Sequence, residues 1–308
     1  MTEINTISII DKFKNLDLTK YPYDDIQNLI SQLSKVAVME FILHRGKTIT
    51  RARFEDGLQP YLTRASLCYK PQEYNKSYQR ASTPNQTMFY GSIIPETLEH
   101  GEIDNERLIV AREASAWIRN DDSCGTKHIT FSKWEVLEDI KLIAILHKKE
   151  FSEVNTLTKK MIDEFNVFIE KHPGEKEKSM ALSSYFASEF GKKHSGEDYN
   201  YMISAIYTEH ILKHGYDGVL YPSVRVDGKG FNIAISPSAA DSKIKLTTVM
   251  GSTAYKKAKN TIIDNNTISI INDENEEIIY IPLESKDTYG EKACLEYLGV
   301  KTIEELYS

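Results

Sequence analysis

The stretch Gly215-Tyr-Asp-Gly-Val-Leu-Tyr-Pro-Ser-Val-Arg-Val-Asp-Gly-Lys-Gly-Phe-Asn-Ile-Ala-Ile-Ser-Pro237 decides how this chain is read. Tyr216 to Tyr221 is a short apolar run bounded by Gly215 and Pro222, the pattern of a buried strand. Pro222 donates no ladder hydrogen bond and biases Tyr221 towards extended geometry. Ser223 therefore stands where a strand leaves its sheet. Asp227 to Gly230 is turn chemistry, and Phe231 to Ile235 reads as the returning strand. Asn232 and Ala234 share one face of it; Phe231, Ile233 and Ile235 share the other. The hairpin presents Ser223 and Asn232 from neighbouring strands. The plainer alternative is a Ser223 that only caps a turn and an Asn232 that only meets solvent.

Upstream of the hairpin, Glu197 to His214 is helical and stops at Gly215. Phe151 to Lys193 is mostly helical, broken at Pro173-Gly174. His128 to Val136 and Lys141 to His147 are strand-like. Leu108 to Trp117 reads as a helix with Leu108, Ala111, Ala114, Ser115 and Ile118 inward. Glu113 is internal to it, and locally it reads as a surface acid beside Arg112 or Arg119. Thr87 to Gly91 is a strand, and Pro71 to Gln86, which holds Arg80, is a loop. Tyr61 to Tyr69 is strand-like. Thr48 to Phe54 alternates, so Arg51 and Arg53 project to one face. Two such arginines repel unless they meet an anion or acidic partners; an exposed face or a structural ion pair serves as well. Asp24 to His44 has helical apolar spacing up to Gly46.

Downstream, Ile244 to Met250, Asn260 to Ile271 and Glu276 to Pro282 are β-like, with turns expected at Asn265-Asn266 and Asp273 to Asn275. Ala293 to Tyr307 reads as a closing helix. The expected layout is an N-terminal helical segment over 1–46, a core over 47–237, and a C-terminal extension over 238–308 packed on that core.

A net charge of -7 argues against a nucleic-acid binder that needs a basic surface, though not against a local basic pocket. The three cysteines, Cys68, Cys124 and Cys294, form no CxxC pair, so a reducing cytoplasmic setting without disulfides is expected. No apolar run approaches the ~20 residues of a membrane span, and Met1 to Asn5 lacks the order of a signal peptide. There is no phosphate loop, no G-x-S-x-G around Ser223 and no H-E-x-x-H. His210 and His214 stand one helical turn apart without a third ligand, so no metal is expected.

The order of these pieces resembles a known family. Arg51 lies in an early strand. The Arg80 loop leads to a strand ending at Tyr90. Ala111-Arg-Glu-Ala carries Glu113. Val219-Leu-Tyr-Pro-Ser223 and Phe231-Asn-Ile-Ala-Ile-Ser-Pro237 close the series. This resembles the RES-domain family over roughly 47–237. Arg51, Glu113 and Ser223 match its three name-giving positions, Tyr90 its central tyrosine and Asn232 the asparagine of its last hairpin. Ala52 and Gln79-Arg-Ala-Ser82 depart from the family pattern, which has an aromatic residue and Gly-Arg-Trp-Asn there.

The resemblance implies an α+β fold like that of ADP-ribosyltransferases: a split, mostly antiparallel sheet with flanking helices and a C-terminal α/β extension. It implies a bacterial toxin that consumes NAD as substrate. Glu113, Arg51 and Ser223 would serve the chemistry, and Arg51, Arg53, Arg80, Tyr90 and Asn232 would hold the dinucleotide. The implied partners are NAD, an antitoxin protein or a protein acceptor of ADP-ribose; a homodimer is kept open, and no nucleic acid or membrane is expected. A catalytically idle member of the family that acts by binding protein is the alternative.

Overall fold

The computed structural model describes residues 6–33, 36–54, 61–95, 105–151, 153–193, 196–272 and 274–307. Ten strands run in chain order among them: β1 (Met39–Leu43), β2 (Thr48–Phe54), β3 (Phe89–Ile93), β4 (Cys124–Val136), β5 (Ile140–Ala144), β6 (Gly218–Pro222), β7 (Phe231–Ile235), β8 (Ile244–Lys257), β9 (Asn260–Ile271) and β10 (Ile278–Pro282). The helices are α1 (Thr6–Lys14), α2 (Tyr23–Ser31), α3 (Arg64–Leu67), α4 (Glu106–Ala114), α5 (Ala116–Arg119), α6 (Thr156–Glu170), α7 (Pro173–Phe190), α8 (Met202–Lys213), α9 (Pro237–Lys243) and α10 (Glu291–Tyr297). The fold is mixed α+β around one large, mostly antiparallel sheet.

The strands pair in the order β1-β5-β6-β7-β3-β2-β4-β8-β9-β10. Only β5 and β6 are parallel, and the three long helices α6, α7 and α8 make the crossover between them, as a parallel pair requires. β6 and β7 form the hairpin read from the sequence, with Tyr221 opposite Asn232. Their side chains enter the core from both faces. Leu220, Phe231, Ile233 and Ile235 join one cluster with Trp134 and Phe89. Val219, Tyr221 and Ala234 join another with α1, α2, α7 and α8. Burial on both faces is why these strands read as nearly continuous apolar runs.

The sheet has one narrow seam. Among the described residues β2 and β3 are joined by a single register pair, Thr50 with Ser92. On one side of it β2 runs along β4 for seven pairs, and β4 runs along the full length of β8. On the other side β3 pairs with β7 over five. Residues after Pro237 thus continue the same sheet through β8, β9 and β10. No helix among the described residues is long and apolar enough to cross a membrane.

Several local expectations are corrected. Asp24 to His44 is not one helix: α2 stops at Ser31, and Met39–Leu43 is a strand paired with β5. The apolar residues there satisfy both periods, and the distant partner strand decides. The 1–46 segment is therefore not wholly helical. Within Tyr61 to Tyr69, Arg64–Leu67 is a helical turn, because Thr63 and Ser66 cap each other reciprocally. Asn265 and Asn266 lie inside β9; the chain reverses at Ala258, which adopts φ +51°. Asp273 lies outside the described residues. The inward face of α4 is Ile109, Val110 and Ala111, while Leu108 and Ala114 are exposed. The closing helix spans only Glu291–Tyr297, with a short 3-10 turn at Glu304–Leu306.

Candidate functional site

The seam opens into a cleft of about 860 Å³. Arg51 and Arg53 enter it from β2, Tyr90 and Ser92 from β3, and Asn232 from β7. Glu113 closes it from α4, which packs over β2.

Arg51 donates to the Tyr90 carbonyl, and Arg53 Nη2 donates to the Cys68 carbonyl at 2.7 Å. The Nε of each is buried and unpartnered, and neither forms an ion pair with an acid among the described residues. Burial, reinforced by the neighbouring Arg53 charge, pulls the Arg51 pKa down to about 9. Burial lowers that of Arg53 as well. Two guanidiniums sharing a face without a counter-charge are in an unfavourable state that a bound anion relieves.

Glu113 is held by two donors on one oxygen. Ser223 Oγ donates to its Oε1 at 2.5 Å, and Asn232 Nδ2 at 2.8 Å. The Asn232 amide is oriented in turn by Ser92 Oγ, which donates to Oδ1 at 2.7 Å. Both bonds end on Oε1, so Oε2 is the oxygen left to act on a ligand. Ser223 is fully buried behind the carboxylate. Its backbone is fixed separately: Ser223 N donates to the Gly230 carbonyl at 2.7 Å, and Gly228 N to the Ser223 carbonyl at 2.8 Å. Gly228 makes that turn at φ +81°, where an added Cβ would lie 2.6 Å from the Phe151 ring; only glycine meets both demands.

Arg80 also lines the cleft, but its guanidinium is committed to the frame. It donates to the carbonyls of Phe190 and Lys192 and lies over the rings of Tyr201 and Tyr221, 5.2 and 5.9 Å from their centroids. Tyr90 is tied similarly. Its hydroxyl accepts from Ala81 N at 3.1 Å and bonds Ser82 Oγ at 2.7 Å. Burial pushes its pKa up to about 12.

Arg51, Arg53, Arg80, Tyr90, Glu113 and Asn232 therefore share one cleft, with Ser223 directly behind it. Three plainer readings do not hold. Glu113 turns its carboxylate to Ser223 and Asn232 rather than to Arg112 or Arg119. Ser223 caps nothing with its side chain. Asn232 is 6% exposed.

Two further cationic residues, Arg119 and Arg225, line the cleft, where local sequence signals do not place them. Arg119 Nη1 donates to the carbonyls of Arg112 and Glu113, closing the open end of α4. Arg225 lines the same wall. Burial, followed by the charge of Arg225, lowers the Arg119 pKa. Arg225 lies two residues beyond Ser223 in the hairpin turn, which is the one signal that pointed to it. The acidic counterweight on the wall besides Glu113 is Asp198, whose carboxylate already accepts from Tyr21 Oη at 2.5 Å and Tyr78 N at 2.9 Å. The cleft thus sets several arginines near a carboxylate whose Oε1 alone is held by Ser223 and Asn232.

His210 and His214 lie elsewhere, with ring centroids 4.2 Å apart. No group of three metal-ligating side chains occurs among the described residues. Comparison with protein-family models finds no match, and comparison with curated proteins finds none either.

Proposed function

We propose that this protein cleaves the bond between nicotinamide and ribose in NAD, with a fold of the ADP-ribosyltransferase kind. One observation carries the reading: a carboxylate clamped through one oxygen by Ser223 and Asn232 shares a cleft with Arg51 and Arg53, whose buried Nε atoms lack a partner. The arginine pair suits the diphosphate, which takes forked cations. As the glycosidic bond breaks, its electron pair moves to the nicotinamide ring nitrogen and cancels the positive charge there. The ribose becomes oxocarbenium-like. Glu113 Oε2 stabilises that growing charge and orients the acceptor, which attacks the anomeric carbon and passes its proton through Oε2 to solvent. Ser223 and Asn232 act through Glu113 by fixing it, so they are positioning residues. The resemblance to RES-domain proteins supports the same chemistry and adds a biological setting: a bacterial toxin, opposed by an antitoxin protein, that passes ADP-ribose to water, phosphate or a protein.

The test is nicotinamide release from NAD by purified protein. Glu113→Gln keeps the size of the side chain and removes its charge, and it should slow turnover on the order of 100-fold or more with NAD binding retained. Equal rates in wild type and variant, at matched melting temperature, would overturn the assignment.

A further inference from the structure

A second cavity, of about 280 Å³, shares no lining residue with the cleft. It lies between α7, α8, the end of β5 and residues 36–39. Its wall is mainly apolar, with Leu33, Val38, Ile143, Leu182 and Ile211 among its residues. Phe186 and Tyr207 add a flat aromatic surface, their rings stacked at 3.6 Å and 9°. The cavity is partly open to solvent, with His214 exposed among its lining residues.

The cavity's polar side chains are Ser183, Tyr207, His210, His214 and Tyr216. His210 and His214 line it at the C-terminal end of α8. His214 Nδ1 lies 2.8 Å from the His210 carbonyl. A carbonyl only accepts, so the proton sits on Nδ1, and in the neutral ring the outer Nε2 is an acceptor. Burial is the chief cause that lowers the His210 pKa, which favours its neutral form. The surroundings disfavour an anion, because the last carbonyls of α8 carry the negative end of the helix dipole. No arginine lines the cavity.

We propose that this cavity binds a small neutral aromatic molecule with one N–H or O–H donor. At about 280 Å³ the space lies just under the ~300 Å³ at which small-molecule pockets begin, room for a compact ring system. The apolar wall and the stacked Phe186–Tyr207 pair take up a flat ring system, and its single donor reaches the imidazole acceptor. Indole has this size and this one donor, and it is the probe of choice. The site is independent of the proposed NAD chemistry, and its test does not use that activity.

The experiment is calorimetric titration of the full chain with indole and with 1-methylindole, which has the same shape without the donor. Indole should bind with one-to-one stoichiometry, and 1-methylindole at least tenfold more weakly. Ser183→Phe fills the cavity from α7 and should abolish the indole signal at an unchanged melting temperature. If that variant does not fold, His214→Ala, on an exposed residue, serves instead: it should weaken indole and leave 1-methylindole unaffected. No heat with either ligand, equal affinities for both, or octanoate binding more tightly than indole would each overturn the proposal.

Discussion

Ser223→Ala isolates a single hydroxyl. The backbone bonds of Ser223 to Gly230 and Gly228 survive the change, so the hairpin keeps its shape. What disappears is the 2.5 Å bond to Glu113 Oε1, while the 2.8 Å bond from Asn232 remains. A hydrogen bond to a charged group contributes about 1.5–3 kcal/mol, and each ~1.4 kcal/mol is tenfold in rate. If Glu113 needs both donors to hold Oε2 at the reacting carbon, kcat for nicotinamide release falls about 10- to 100-fold. KM moves little, because Arg51 and Arg53 are untouched. The lost bond should lower the melting temperature by only about 2–4 °C for each kcal/mol. Steady-state kinetics with NAD, beside a thermal melt, separates the outcomes. An unchanged kcat, or a raised KM at constant kcat, would show that Ser223 does not act through Glu113.

Two further outcomes follow from the same geometry. Arg51 is a cation whose folded pKa is lowered to about 9 from 12.5, so between those values the unfolded chain holds a proton that the folded chain lacks, and this group's stability contribution rises with pH there. Below about 9 the buried charge is a constant cost, which a bound anion relieves; inorganic diphosphate should raise the melting temperature at pH 7.5, less so at pH 10, and not at all in Arg51→Met, whereas an equal rise in the variant excludes Arg51 as the anion site. In Gly218→Ala, the new Cβ would lie 1.9 Å from the Ala234 carbonyl oxygen across the β6–β7 ladder. Overpacking of this kind costs on the order of 3 kcal/mol, and a thermal melt matching wild type would refute the tight pairing.

What could be read directly from the chain was whatever its signals made local. Pro222, the Asp227 to Gly230 turn and the apolar runs around them specify β6 and β7 within 20 or so residues, and Gly215 marks the end of α8. The break at Pro173 likewise stands, with the proline at the start of α7. The failures are non-local. Met39–Leu43 is a strand only because β5, about a hundred residues later, supplies its ladder. Glu113 looks like a surface acid until Ser223 and Asn232 arrive from 110 and 119 residues away. No spacing rule links those positions; in the sequence only the resemblance names them together. Arg119 reads from the sequence only as a surface partner of Glu113, and Arg225 not at all, for the same reason: a cleft wall assembled from α5 and a hairpin turn has no period.

The pairing of β4 with β8 sets a schedule for synthesis. Roughly 100 residues separate the two strands, about 5–20 s of chain growth at ~5–20 residues per second. Until β8 emerges, β4 has β2 on one side and an open edge on the other, and an open edge of thirteen residues invites pairing with other chains. β2, which carries Arg51 and Arg53, depends on β4 for all but one of its register pairs. The arginine wall of the cleft therefore rests on a strand whose other edge stays open until β8 is made. A chain interrupted before Ile244 should accumulate as aggregate and never as a working cleft.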